Sequence, residues 1–192
     1  MMKKVGLFFG SFNPVHNGHL MLANYLLEFV PLDAVWFVVS PQNPLKNQDE
    51  LMPEAFRFRL VEKAIEGFAR FKACDTEFRL PKPSYTIHTL NALAREFPEI
   101  DFYLIMGADS LENFHLWKDF ATILENYQLL VYPRKGSQEQ TLMKHPSIHL
   151  VEAPLLEVSS TFIRDGFKRG KDLRFFLPAE IFGMLHEALK PD

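Results

Sequence analysis

His16 and His19 stand three residues apart in the stretch Gly10-Ser11-Phe12-Asn13-Pro14-Val15-His16-Asn17-Gly18-His19. That spacing can put two imidazoles on one face of a helix. Each ring, neutral or protonated, can donate a hydrogen bond to a phosphate oxygen. The stretch lies between an apolar run, Val5 to Phe9, and a helical pattern from Leu20 through Ala23, Leu26 and Leu27 to Val30. A strand, a glycine-containing turn and a helix start make an anion site, because unpaired backbone N–H groups and the positive helix end point at the ligand. Gly18 would let a base or ribose lie close to the backbone. The same residues would also serve as a cap and a satisfied core histidine, and without a third ligand nearby they do not make a zinc site.

Near the other end of the chain, Val158-Ser159-Ser160-Thr161-Phe162-Ile163-Arg164 puts three hydroxyls before a helix-like segment, with Arg164 one turn beyond Ser160. This reads either as a helix cap followed by a surface arginine or as a phosphate clamp, for which a planar guanidinium suits better than an ammonium. Lys46, in Ser40-Pro41-Gln42-Asn43-Pro44-Leu45-Lys46, is a solvated loop lysine or a mobile point charge for phosphate.

These groups need elements to hold them. Val5 to Phe9 and Ala34 to Ser40 are continuous apolar runs of the kind buried on both faces of a parallel sheet, and Phe71 to Cys74, Phe102 to Met106, Gln128 to Tyr132 and Ile148 to Val151 continue the series. Between them, Phe56, Leu60, Val61, Ala64, Ile65 and Phe68 follow Pro53 at helical spacing, and Ile87, Leu90, Ala94 and Phe97 run up to Pro98. The alternation predicts an α/β fold, a Rossmann-like open parallel sheet with helices on both faces, in one domain spanning 1–192. Ligands would then sit at the carboxyl ends of the strands.

Gly10 to His19 resembles the G-[ST]-F-[DN]-P-x-H-x-G-H signature of the nucleotidylyltransferase superfamily, and Val158 to Arg164 resembles its second signature, I-S-S-T-x-[IV]-R, with valine for the commoner isoleucine. The resemblance implies that Gly10, Ser11, Phe12, His16, Gly18 and His19 hold ATP from one side and Ser159, Ser160, Thr161 and Arg164 from the other. Further segments, Pro41 to Lys46, Ser84-Tyr85-Thr86-Ile87-His88-Thr89-Leu90, Gly107-Ala108-Asp109, Trp117 and Pro133-Arg134, look like the P-x-x-P-x-K, S-Y-T-x-D-T-L, G-x-D, tryptophan and Pro-Arg series of the nicotinate-nucleotide adenylyltransferase family. That family joins nicotinic acid mononucleotide to the AMP of ATP.

By this resemblance Gly107 and Asp109 belong to the ATP site, with Asp109 at the adenosine ribose. Asn43, Tyr85, Thr86, Trp117 and Arg134 hold the acceptor, with Trp117 stacked on its ring. His16, His19, Lys46 and Arg164 carry the transfer, and Mg²⁺ rides mainly on the ATP phosphates. His88 stands where the family usually has aspartate, and Leu45 where it often has histidine. Nicotinamide mononucleotide or another phosphorylated acceptor is the alternative substrate, and a nucleotide-binding sensor without catalysis the alternative class. A phosphopantetheine enzyme would usually have threonine at the position of His16.

Composition narrows the classes further. The 192 residues hold one cysteine, Cys74, which excludes a disulfide framework and suits a cytoplasmic protein. No apolar run approaches the roughly 18 residues of a membrane span, and the first residues lack the pattern of a secretory signal. A formal net charge of −3 argues against a nucleic-acid polymer as partner. The segment from Ser159 to Arg174 nonetheless carries a net +3, which predicts positive charge gathered where a small nucleotide's phosphates sit. Some of the 19 phenylalanines could cover an interface in a homo-oligomer.

Overall fold

The computed structural model describes residues 2–42, 51–136 and 141–189. Every apolar run identified above forms a strand: β1 Lys3–Gly10, β2 Ala34–Val39, β3 Phe71–Cys74, β4 Ile100–Gly107, β5 Gln128–Tyr132 and β6 Ile148–Leu150. All neighbours pair in parallel, in the order β3-β2-β1-β4-β5-β6. The chain builds outward from β1 to β3, then returns to the other side of β1 to lay down β4, β5 and β6. The order therefore reverses between β1 and β4, and connections diverge there to leave a crevice at the carboxyl ends.

Seven helices among the described residues cover the sheet: α1 Asn17–Phe29, α2 Glu54–Ala64, α3 Thr86–Glu96, α4 Ala108–Glu112, α5 Phe120–Asn126, α6 Ser160–Lys168 and α7 Ala179–Leu189. Alternation along the strands sorts them into two layers. Phe8, Val35, Phe37, Val39 and Ile105 pack with Leu26 of α1, Leu60 of α2, Ile163 of α6 and Leu185 of α7. Val5, Leu7, Trp36, Val38 and Leu104 point the other way, to Leu90 of α3, Leu111 of α4 and Ile123 of α5. The inner strands β1, β2, β4 and β5 are apolar on both faces because each face meets helices, whereas the edge strands β3 and β6 expose Lys72 and His149.

One helix is shorter than its apolar stripe suggests. Helix α2 ends at Ala64, and Ile65 and Phe68 pack beyond its last turn. The backbone at Gly67 has φ 82°, in the left-handed region that stops a right-handed helix and favours glycine.

Candidate active site

A cleft of about 730 Å³ opens at the reversal between β1 and β4, lined at its floor by Gly10, Ile105, Met106 and Gly107. One wall is the turn Ser11, Phe12 and Asn13, and above it His19 of α1 faces Ser160, Thr161 and Arg164 of α6. The other walls bring Ser40, Glu77, Ser84, Tyr85 and Thr86 from one side, and Asp109, Ser110, Trp117, Lys118, Tyr132 and Arg134 from the other.

The β1–α1 turn is set by its own side chains. Phe12 has φ 45°, a conformation that costs a bulky residue on the order of 1–3 kcal/mol and persists only when packing fixes it. Its ring meets Phe8, Phe37 and His19 at centroid distances of 5.7, 5.6 and 5.1 Å. A Cβ on Gly10 would stand 2.9 Å from that ring, so the packing of Phe12 itself favours glycine there. Gly18 is also closely approached by a side chain. A Cβ there would meet the His16 ring at 3.1 Å, and Gly18 is not among the residues lining the cleft.

The two histidines are stacked, with centroids 3.7 Å apart and planes inclined by 26°. Their environments differ. His19 lines the cleft, whereas His16 is 4% exposed and lies behind it. The His16 amide donates to Nδ1 of His19 at 3.2 Å, which leaves Nε2 as the hydrogen-bearing nitrogen of that ring. The two residues stand in a capping-box arrangement at the start of α1, and the His19 amide donates to the His16 carbonyl at 2.9 Å. Burial, and secondarily the charge of Arg134, push His16 down to about 4. It is therefore an uncharged ring at neutral pH.

Helix α6 separates the three hydroxyls. Ser159 accepts a hydrogen bond from the Phe162 amide at 3.1 Å, which makes it the cap of α6, and it does not line the cleft. Ser160 donates to the Pro14 carbonyl at 2.8 Å, and Nη1 of Arg164 donates to the Asn13 carbonyl at 2.8 Å. The two signature segments thus hold each other across the mouth of the cleft.

On the far walls, Asp109 in the first turn of α4 lies 3.6 Å from Arg134, and both side chains are partly exposed. Arg134 lines the cleft beside Asp109. Tyr85 is the residue before the first turn of the 11-residue helix α3, no side chain caps that helix end, and Tyr85 and Thr86 both line the cleft. Lys118 sits 4.8 Å over the Tyr85 ring, and His88 packs edge-on behind it at 5.6 Å, outside the lining. Asn43, Leu45 and Lys46 lie outside the described residues.

The basic segment does not behave as its charge suggested. Of Arg164, Lys168, Arg169, Lys171 and Arg174, only Arg164 lines the cleft, and Arg174 is bound to Asp172 on the surface. The residues in sequence are close, but α6 turns its other cations away from the crevice. Among the described residues, Arg164 is joined at the cleft by Lys118 and Arg134, drawn from other parts of the chain.

Several lining residues match no motif position, Glu77 and Ser40 among them. Glu77, 2% exposed, accepts from Thr89 at 2.9 Å, and burial pushes its carboxyl up against the opposing influence of the Thr89, Ser40 and Ser84 hydroxyls. Ser40 ends β2. Among the described residues no group of three His, Cys, Asp or Glu side chains could hold a metal ion, and no helix is long and apolar enough to cross a membrane.

Residues 7–166 match the cytidylyltransferase-like family model. A probable nicotinate-nucleotide adenylyltransferase of Bacteroides fragilis is 50% identical over 93% of this chain and 89% of its own. The one from Bacteroides thetaiotaomicron is 48% identical over 97% and 93%. Among solved structures, nicotinic acid mononucleotide adenylyltransferase of Plasmodium falciparum, complexed with NaAD, superposes with a TM-score of 0.79 over 97% of both chains at 17% identity, a likeness of fold.

Proposed function

Because the chain belongs to the nicotinate-nucleotide adenylyltransferases within the cytidylyltransferase-like family, it is a nucleotidyltransferase, and we propose that it transfers the adenylyl group of ATP to nicotinic acid mononucleotide. The products are nicotinic acid adenine dinucleotide and pyrophosphate, a step of NAD biosynthesis. The 5′-phosphate oxygen of the acceptor attacks the α-phosphorus of ATP in line. A new P–O–P bond forms, the bond between the α-phosphorus and its bridging oxygen breaks, and pyrophosphate leaves. No protein nucleophile is needed, so the work is positioning and charge stabilisation.

The observation that carries this reading is the one cleft in which His19, Ser160 and Arg164 converge on the β1–α1 turn while Asp109 and the start of α3 form the opposite walls. In the proposed roles, Nε2 of His19 donates to the phosphate that accumulates charge, and Arg164 and Ser160 restrain the departing pyrophosphate. Gly10, Ser11, Phe12, Gly107, Asp109 and Thr161 shape the ATP half. His16 acts through His19, holding that ring's tautomer and tilt; Gly18 accommodates the His16 ring, and Ser159 acts through α6. Lys46 and Asn43 retain the phosphate and acceptor roles that the family pattern gives them. Tyr85, Thr86 and Trp117 take the acceptor.

Main-chain donors at the start of α3 favour a carboxylate over an amide, which supports nicotinate as the acceptor's ring. A divalent ion, which this family generally uses, supplies neutralisation of phosphate oxygens when bound; the sparse carboxylates of the cleft, Glu77 and Asp109, fit an ion carried mainly by the triphosphate, and Mg²⁺ is the proposed one. The test is pyrophosphate release from ATP and Mg²⁺ with nicotinic acid mononucleotide, nicotinamide mononucleotide or phosphopantetheine offered separately. Release with the first, at least about tenfold above the amide, is expected from loss of a charge-assisted contact. Release with none would end the enzymatic reading, and preference for the amide would overturn the acceptor.

A further inference from the structure

Arg57 is the largest fully buried side chain among the described residues, 1% exposed, on the inner face of α2. Its guanidinium is spent on main-chain oxygens. Nε donates to the Met52 carbonyl at 2.9 Å, Nη1 to the carbonyls of Ser40 at 2.9 Å and of Ser11, and Nη2 to the Pro41 carbonyl at 3.2 Å. No carboxylate among the described residues accepts a hydrogen bond from it.

The positions of those carbonyls matter more than their number. Strands β1 and β2 run side by side as far as Gly10 and Val39, and the Ser40 amide makes one more bond to the Gly10 carbonyl at 2.9 Å. Past that point the ladder stops and the two chains part, one into the β1–α1 turn and the other toward Pro41. Ser11 and Ser40 both line the cleft. Arg57 lies where the ladder ends and holds both departing chains at once. Asn13 adds a second tie to the same place, its side-chain oxygen accepting from the Met52 amide at 3.0 Å.

The simplest account is that Arg57 only satisfies buried carbonyls. Two features go further. Neutral donors would do that without burying a cation, which is costly here because burial outweighs the attraction of Glu54, a carboxylate that makes no hydrogen bond to the guanidinium. The carbonyls also belong to opposite halves of the cleft, so the fork sets a distance between them. We infer that Arg57 is a positioning residue that fixes the ATP-side turn relative to the acceptor-side end of β2, and so sets the in-line geometry of transfer. This rests on the adenylyl-transfer reading above.

The test compares wild type with Arg57→Met, which keeps length and apolar stem, and Arg57→Lys, which keeps charge but not the fork. For each, kcat, both KM values, the unfolding midpoint and calorimetric binding of pyrophosphate are measured. Displacing reacting groups by about 1 Å costs about 100-fold in rate, so Arg57→Met is expected to lose kcat on that order while both KM values move by less than about fivefold. Arg57→Lys is expected to recover part of the loss. Should Arg57→Met fail to fold, Arg57→Lys carries the test, with at least about a tenfold fall in kcat expected from the lost fork. Folded variants turning over within about threefold of wild type, or activity falling only with the folded fraction, would overturn the inference. Wild type releasing pyrophosphate separates that result from failure of the functional reading, which would take this inference with it.

Discussion

Two histidines that look equivalent in the sequence have different surroundings and different expected effects. His19 faces the cleft with Nε2 as its donor, so His19→Ala is expected to lower kcat by at least about 100-fold with an unchanged circular-dichroism spectrum, as when one preorganised donor is removed. A turnover number near wild type would remove His19 from the mechanism. His16 shows instead in stability. Its folded value of about 4 lies below the ordinary 6.5, so the unfolded chain takes up the proton first as pH falls. Its contribution is present above about 6.5 and is lost between there and about 4, a change of about 3 kcal/mol. Urea unfolding at pH 7 and pH 5 should show about 2 kcal/mol of that loss, and His16→Gln should flatten it. Glu77 acts with the opposite sign: a raised carboxyl stabilises below its ordinary 4.5 and loses that contribution as pH rises through its folded value. Glu77→Gln is accordingly expected to unfold at higher urea than wild type at pH 7, and a lower midpoint would show that ionised Glu77 is held by more than the Thr89 hydroxyl.

At the scale of elements, α6 decides what three neighbouring hydroxyls do. Ser159→Ala removes a cap and is expected to cost about 1 kcal/mol of stability with kcat nearly unchanged. Ser160→Ala removes a cleft hydroxyl tied to the Pro14 carbonyl and is expected to lower kcat more than stability. Equal effects on both measures in the two variants would contradict this division. The helix itself was legible from its hydroxyl run and from Ile163 and Phe167 at turn spacing. Which hydroxyl caps it was not, because a cap is recognised by one residue's backbone geometry and any of the three could have served. Arg57 shows the same limit from the other side. It lies three and four residues before Leu60 and Val61, on the buried face of α2, yet a charged residue there gives no sign of its acceptors until the strands that supply them are placed.

For the whole molecule, the positive charge at the cleft is, among the described residues, assembled from distant segments, and the basic stretch near the C-terminus supplies Arg164 alone. Replacing Arg169 and Lys171 together with glutamine, both being exposed and away from the cleft, is expected to leave kcat/KM for ATP within about twofold at 0.15 M salt, where exposed charges are largely screened beyond about 8 Å. A larger fall would restore that segment to a role in steering the nucleotide. The amino-acid sequence alone determined the alternation of buried strands and helices, the glycine-containing turn after β1, the hydroxyl run before α6 and the family pattern that joins them, because these depend on local periodicity, backbone freedom and short-range spacing. Only the tertiary structure decided that His19 faces the cleft while His16 lies behind it, that Ser160 reaches back across 146 residues to the β1–α1 turn, and that Arg57 clasps the ends of β1 and β2. Each of those is a meeting of groups far apart in sequence, and which face a side chain presents there is settled by packing and by the demand that every buried polar group find a partner.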